Sequence, residues 1–437
     1  MDQPPRPWEP DGVPPRNVLM LTYHFPPSAA SGSFRLLGFA RHLPSHGWRT
    51  TVVAPPSLPW EPVDQGLADR VPAGTTVYHV PYMKWRVTRL LAAGWGWLIP
   101  AAKACARAVR EQRPDAVLTS GPPHEIHLLG LWLKKRYGLP WAADFRDPWF
   151  ARGLKARGRD FASRRVDVQE AAVMRGADAV IANAPGACRL LQDAYPQHRS
   201  KFLTLPNGYD REEFETLDGP PSPEGRPLRL VHTGAIYFQR DPRPVLDALK
   251  SLTESGRTDL AIDFYGPPPE CGLDLADAVR QRGLAERVVI AGQVPYARCL
   301  RAMASADVLM LMDSPGRKVG VPAKLYEYIG AGRPVLALGE RGGDLERVLM
   351  QGGVPFRIAP PDDAPAIAEA LAGLAEGVRT GERGEQGGDP HRFSRETLAG
   401  RLAGVLDRCV AGAKEFDLGP SRDGVGSLST AAVSEGV

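Results

Sequence analysis

A chain of 437 residues is too long for one hydrophobic core of ordinary size, so two domains are expected. Its apolar share of 43% and charged share of 24% are those of a folded globular protein, and Lys+Arg 54 against Asp+Glu 50 leaves a net charge of only +4, which excludes a dedicated nucleic-acid binder with a large basic excess. Five scattered cysteines, Cys105, Cys188, Cys271, Cys299 and Cys409, show neither Cys-x-x-Cys nor zinc spacing, so a reducing cytoplasm and no structural zinc are expected. Residues 1–16, MDQPPRPWEPDGVPPR, are proline-rich, lack the apolar stretch of a secretory signal and read as a disordered lead. The longest apolar run, 90–102, has about 13 residues against the ~20 that a membrane span requires.

From there the chain alternates strand and helix. Residues 18–22 form a compact apolar run, Phe34, Leu37, Ala40 and Leu43 recur at helical spacing until Gly47, and 50–53 returns as a strand. This is a β-loop-α-β unit of the doubly wound kind. In its loop, Ser31, Gly32 and Ser33 stand at the helix entrance, where small residues let backbone approach a ligand and free N–H groups can cradle a phosphate. An ordinary turn with an N-cap serine reads the same letters. Between 75 and 113, Trp85, Trp95 and Trp97 are interleaved with Lys84, Arg86, Arg89, Lys103 and Arg107. That mixture suits the headgroup boundary of an anionic membrane, and equally a helical pair packing its tryptophans on the core.

Strands are predicted over 115–120 and 140–144. The first runs into Gly121-Pro122-Pro123-His124 and a helix over 125–137, the second into Phe145-Arg146-Asp147-Pro148-Trp149. His124 and Asp147 therefore stand just past C-terminal strand ends, where ligands bind in open α/β sheets. A loop histidine satisfied by its surroundings and an Arg146–Asp147 ion pair are the structural alternatives. A strand over 177–183, a helix over 185–194 and a strand over 201–205 bring the first half to the turn Pro206-Asn207-Gly208, and the polar 218–226 stretch reads as loop or linker.

The second half repeats the rhythm, with strands at 228–233, 260–265, 288–291, 308–312 and 335–338 separated or followed by helices at 244–252, 273–282, 296–305, 344–350 and 364–374, which implies another parallel sheet. After its first strand, H-T-G-A-I-Y-F-Q-R-D-P sets Gly234 six residues before Arg240, a permanently charged guanidinium within reach of a diphosphate. A surface Arg240–Asp241 pair is the alternative. Chemistry is densest over 317–338, RKVGVPAKLYEYIGAGRPVLAL. Pro322 suits the first turn of a helix, good helix formers continue to Ala331, and Gly332 can close it. Free N–H groups at that start and the Lys324 charge make a phosphate cradle. Glu327, at i+3 from Lys324, can face the same cleft and accept two ribose hydroxyls, although the two also read as a common surface pair. A charged glycine-rich loop follows over 376–389, then a helix over 393–410 and a disordered tail over 411–437.

The run P-A-K-L-Y-E-Y-I-G-A-G-R-P-V-L-A resembles the nucleotide-sugar-binding segment of retaining, GT-B-fold glycosyltransferases of family four. S-G-P-P-H, D-F-R-D-P-W and the H-T-G loop are similar to other segments of that family, and the likeness runs from Asn17 to about Arg408. It implies an α/β protein of two Rossmann-like, doubly wound domains facing a central cleft. The first, over 17–206, lies on the acceptor side, the second, over 207–390, binds the nucleotide sugar, and a helix over 391–410 crosses back to the first. By the same resemblance Gly32, Ser33, Gly234, Arg240, Lys324, Leu325 and Glu327 hold the donor, with His124, Asp147, Arg240 and Lys324 around the reacting bond. Two departures stand out. The family's two glutamates flank seven residues; the second matches Glu327, but the first position holds Val319, as in a branch that reads K-x-Y/F-E-Y. The arginine that usually follows the glycine of the H-T-G loop is Ala235.

No Asp-x-Asp triplet occurs in the chain, which removes the usual ligand set for a metal-diphosphate complex. The expectation is catalysis without metal or cofactor, in which the helix start, Lys324 and Arg240 stabilise the departing diphosphate of a UDP- or GDP-linked sugar. The resemblance implies retention at the anomeric carbon and a hydroxyl acceptor on a glycan or lipid-linked intermediate, at the inner face of the cell membrane. Two rivals remain. A GT-B epimerase of a UDP-sugar would turn over without acceptor, and a non-catalytic GT-B partner protein gains weight from Val319. Phosphorylases of similar fold carry a pyridoxal-phosphate lysine, for which no convincing motif is present.

Overall fold

The computed structural model describes residues 14–57, 61–83, 95–147, 149, 161–220, 224–237, 239–257, 259–269, 272–381 and 388–416. Runs of apolar residues with no polar alternation fold into strands covered on both faces, the signature of parallel sheets. Val18, Leu19, Met20 and Leu21 are all fully buried, and so are Val308, Leu309 and Met310. Strands β1 (Arg16–Thr22), β2 (Trp48–Ala54), β3 (Thr76–His79), β4 (Ala116–Gly121), β5 (Trp141–Phe145), β6 (Ala179–Ala182) and β7 (Phe202–Thr204) form one sheet in the order β3-β2-β1-β4-β5-β6-β7. Strands β8 (Leu228–Thr233), β9 (Leu260–Tyr265), β10 (Val288–Gly292), β11 (Val308–Met312), β12 (Val335–Leu338) and β13 (Phe356–Ala359) form a second, in the order β10-β9-β8-β11-β12-β13. All paired strands are parallel; in the first sheet Leu19 stands opposite Thr51 on one side and Val117 on the other.

Both sheets reverse strand order beside their first strand, between β1 and β4 and between β8 and β11. Crevices open past the carboxyl ends of the strands at such reversals, so the loops after β1 and β8 are the places for ligands. The two domains turn these ends toward each other. The helix Arg395–Val410 returns to the first domain, where Leu398, Leu402, Val405 and Leu406 join Val18, Met20, Leu36, Phe39 and Leu205 in one core. Its start is tied to the first crossing between the domains, since Arg395 donates its N–H to Tyr209 O and Tyr209 donates to Phe393 O.

The tryptophan-rich stretch divides. Trp85, Lys84, Arg86 and Arg89 lie outside the described residues. Trp97 is a core residue: it is fully buried, its indole N–H donates to Val80 O at 2.8 Å, and its ring packs 4.7 Å from that of Tyr23. Lys103, Arg107 and Arg110 line the exposed face of the same helix, Trp95–Gln112. No described helix is long and apolar enough to cross a membrane.

Candidate active site

A cleft of about 930 Å³ opens between the domains, bounded by Ser31, Phe34 and Arg35 on one side and by His232, Gly234, Arg240, Tyr296, Lys324 and Glu327 on the other. The sequence places these groups by ending strands. β8 stops at Thr233 and the chain turns through Gly234, whose φ of 135° an L side chain rarely adopts. Beyond it the loop brings Arg240 back over the cleft. β11 likewise ends at Met312, and the chain re-enters as the helix Lys324–Ala331, closed by Gly332 in the left-handed region with φ 66°. The helix starts at Lys324; Pro322 lies in the preceding turn, where Leu325 N–H donates to its carbonyl.

Lys324 and Glu327 come together as the spacing requires, with Nζ 2.6 Å from Oε2, but this is not an ordinary surface pair, because Glu327 is only 6% exposed. Burial disfavours the Lys324 charge, and the adjoining carboxylate overrides this and holds the ammonium pKa above its ordinary value. The other Glu327 oxygen, Oε1, lies 3.0 Å from the Tyr296 hydroxyl.

Arg240 is nearly buried, and Asp241 pairs with Arg243 instead, at 2.6 Å. Its guanidinium lies 4.4 Å from the centroid of the Tyr237 ring and 3.7 Å from Asp313, beyond hydrogen-bond range, and its Nε has no hydrogen-bond partner among the described residues. A buried cation so incompletely satisfied is prepared for an anion. His232 was not singled out from the sequence, although it sits in the quoted H-T-G run. It is buried at the cleft, its Nδ1 is 3.0 Å from Met310 O, and its pKa is lowered to about 4 by burial, with the Arg240 and Lys324 charges assisting against the Met310 carbonyl. The imidazole is therefore neutral near pH 7.

The other expected site residues are not among the described residues that line this cleft. Gly32 and Ser33 do not line the cleft; Ser31 beside them does. Gly32 instead admits Arg146, since a Cβ there would fall 1.8 Å from Nη1. That arginine donates to the Gly121 and Pro122 carbonyls at 3.0 and 2.6 Å. His124 is 3% exposed, stacked 5.4 Å from Phe145 and tilted against Trp149 at 5.5 Å, and is not among the residues that line the cleft. Asp147 is exposed, and Leu325 is fully buried in the core beneath the helix Lys324–Ala331. No group of three or more His, Cys, Asp or Glu residues placed to hold a metal ion occurs among the described residues.

Two buried ionic clusters that the sequence did not disclose stand at the junction of the halves. Arg35 makes a bidentate pair with Asp144, at 2.9 and 3.0 Å, and donates to the carbonyls of Leu205 and Pro206 where the chain leaves the first domain. Asp210, just past the crossing, meets Arg395 at 2.6 Å, Arg70 at 2.8 Å, Arg41 at 3.0 Å and His42 at 3.1 Å. Burial alone would raise its pKa, but Arg395, His42, Arg41 and Arg70 outweigh it and hold the carboxyl far below the ordinary range.

Two family models match the chain in succession: the glycosyl transferase 4-like domain over residues 33–208 and glycosyl transferases group 1 over residues 227–377. The 2-deoxystreptamine N-acetyl-D-glucosaminyltransferase of Streptomyces fradiae is 27% identical over 412 residues, covering 90% of this chain and 91% of the relative. The phosphatidyl-myo-inositol mannosyltransferase of Mycolicibacterium smegmatis is 30% identical over 49% of this chain and 53% of its own. The match to the probable glycosyltransferase WbjE of Pseudomonas aeruginosa, 29% identical, spans only 26% of that protein. Among solved structures, sucrose-phosphate synthase from Thermosynechococcus elongatus shares the fold with a TM-score of 0.61 at 15% identity, over 91% of this chain and all of that one.

Proposed function

The chain belongs to the GT-B glycosyltransferases, a glycosyl transferase 4-like domain followed by a group 1 domain, and from that premise we propose that this hexosyl-transferring enzyme takes its sugar from a UDP- or GDP-linked donor seated on Arg240, Lys324 and Glu327. One observation carries the reading: a nearly buried arginine with an unsatisfied Nε shares a cleft with a lysine and a buried carboxylate at i+3. The two cations suit a diphosphate and the carboxylate suits the vicinal hydroxyls of a ribose.

As the bond between sugar and phosphate lengthens, negative charge collects on the leaving diphosphate. Cations already fixed in the cleft stabilise that charge more than the ground state. Neither cation must move a proton, so leaving-group assistance is their whole task. Retention at the anomeric carbon and independence of metal belong to this proposal, with the departing phosphate guiding attack on the same face.

The acceptor would present its hydroxyl from the side of the first domain. A glycan or lipid-linked acceptor at an anionic membrane surface is favoured by the exposed row Lys103, Arg107 and Arg110 and by the name of the phosphatidyl-myo-inositol relative. A small soluble acceptor is the second reading; the burial of Trp97 and the name of the 2-deoxystreptamine relative, which matches over most of the chain, support it. Calorimetry with UDP and GDP, then donor turnover with and without acceptor, tests the scheme. Absence of binding to either nucleotide rejects it, and turnover to an isomerised donor without acceptor would turn it into an epimerase.

A further inference from the structure

A carboxylate recognises a pair of hydroxyls only if its plane is fixed, and the chain of groups behind Glu327 reaches into the first domain. Tyr296 opens the helix Tyr296–Ala304 after Pro295, and its side chain reaches back into the cleft. The hydroxyl stands 3.0 Å from Glu327 Oε1 and 2.9 Å from Glu213 Oε2. Its ring lies 4.9 Å from Phe34 of the first domain, and the Lys324 ammonium sits 5.5 Å from the ring centroid. Glu213 Oε1 is in turn 2.5 Å from Arg70 of the first domain, the residue that also holds Asp210. An unbroken polar chain therefore runs from Lys324 through Glu327, Tyr296, Glu213 and Arg70 to Asp210. Glu327 Oε1 accepts from Tyr296, while Oε2 faces the Lys324 ammonium at 2.6 Å and has no hydrogen-bond partner among the described residues, so both oxygens keep a lone pair for a diol. Burial, and after it the Glu327 and Glu213 charges, keep the phenol protonated well above its ordinary pKa, so it has one O–H to give; burial and the Asp210 charge raise the Glu213 pKa, and a protonated Glu213 can donate to the phenol oxygen and free that O–H for Glu327.

We propose that Tyr296 is the positioning residue of the ribose-binding carboxylate, and that through Glu213 and Arg70 it makes recognition of the ribose depend on the first domain being docked. The inference rests on the nucleotide-sugar reading and adds how that site is kept in register. Arg70 does not itself line the cleft.

The test is calorimetry of UDP, 2′-deoxy-UDP and 3′-deoxy-UDP with the full-length wild type, Tyr296→Phe and Arg70→Met, with a melting curve for each protein. In the wild type, loss of a hydroxyl bonded to the carboxylate should weaken binding by ~10-fold or more. In Tyr296→Phe that penalty should shrink to within about threefold, and Arg70→Met should move it in the same direction by a smaller factor. A tyrosine that merely stabilises the fold would lower the melting temperature and leave the deoxy penalty intact; that result overturns the proposal. An intact penalty in Arg70→Met overturns the link to the first domain, and that variant keeps the idea testable if Tyr296→Phe fails to fold. Wild-type protein that binds UDP without a deoxy penalty refutes the positioning role alone, whereas binding of neither UDP nor GDP removes the nucleotide reading and this inference with it.

Discussion

Replacing Arg240 by methionine separates anion handling from stability, because the structure assigns the two costs to different groups. Asp313, its nearest carboxylate, is 3.7 Å away and keeps Arg317 at 3.1 Å when Arg240 is gone. Truncation therefore leaves no buried charge wholly unpaired, and the folding cost should stay near ~1 kcal/mol, below the ~3–5 kcal/mol of a broken buried pair. The ligand loses more. A hydrogen bond to a charged group contributes about 1.5–3 kcal/mol, so UDP should bind ~10–150-fold more weakly. Charge on the diphosphate grows as the sugar leaves, so kcat should fall as well, and kcat/KM should drop by more than the binding constant. Arg240→Lys keeps the charge but loses the planar fork and should fall between. Calorimetry with UDP, donor turnover and a melting curve on the same preparations decide the matter. A UDP affinity within twofold of wild type, with kcat unchanged, would show that the unsatisfied guanidinium has no part in holding the donor.

Lys324→Ala should likewise weaken nucleotide binding by about 1.5–3 kcal/mol in calorimetry, with partial recovery in Lys324→Arg. Sugar transfer should survive EDTA; activity abolished by chelation and restored by magnesium would defeat leaving-group assistance by side chains alone. Asp210→Asn should cost about 3–5 kcal/mol at neutral pH, since Arg395 and Arg41 lose their common partner. The folded pKa of Asp210 is depressed, so its contribution is fully present above the unfolded value of ~3.9 and is lost as the pH falls toward the lower folded value. Urea melts of wild type and variant should accordingly differ by a constant amount above pH ~4 and converge as the pH falls below it. Trp97→Ala should destabilise the first domain by about 3–5 kcal/mol in the same melts. In sedimentation with anionic vesicles, Lys103→Glu should reduce binding if the acceptor is membrane-borne, and salt-insensitive absence of binding favours the soluble acceptor.

Legibility followed burial. β8, β9, β11 and β12 were read from the letters with their observed bounds, because central parallel strands are mostly apolar, β8 and β9 being interrupted only by such groups as Arg229, His232 and Asp263. β3 and β13 went unread: each is a four-residue edge strand, and β3 is half-exposed along its length, so neither run carries a strong pattern. Lys324 and Glu327 were legible because one helical turn joins them. Tyr296, Glu213, Arg70 and Asp210 were not, because their partners are far apart in the chain and only the docking of two domains brings them together. His124 and Asp147 show the limit of position as a guide. Both stand past strand ends as expected, yet one turns into an aromatic cluster and the other out to solvent.

Because the helix Arg395–Val410 fills the first domain's core, the second domain is in effect an insertion within the first. Vectorial synthesis must then release residues 395–410 before the apolar groove along Leu36, Phe39 and Leu205 is covered, so the nascent first half waits, incomplete, while the second can already close on itself. A chain stopped before the helix would expose that groove to chaperones and aggregation. The same arrangement gives the hinge two parallel polypeptide crossings, bridged where Tyr209 pairs with Ser394. A double tether resists twisting and leaves bending as the soft mode, so opening and closing of the cleft should follow one axis through those two residues.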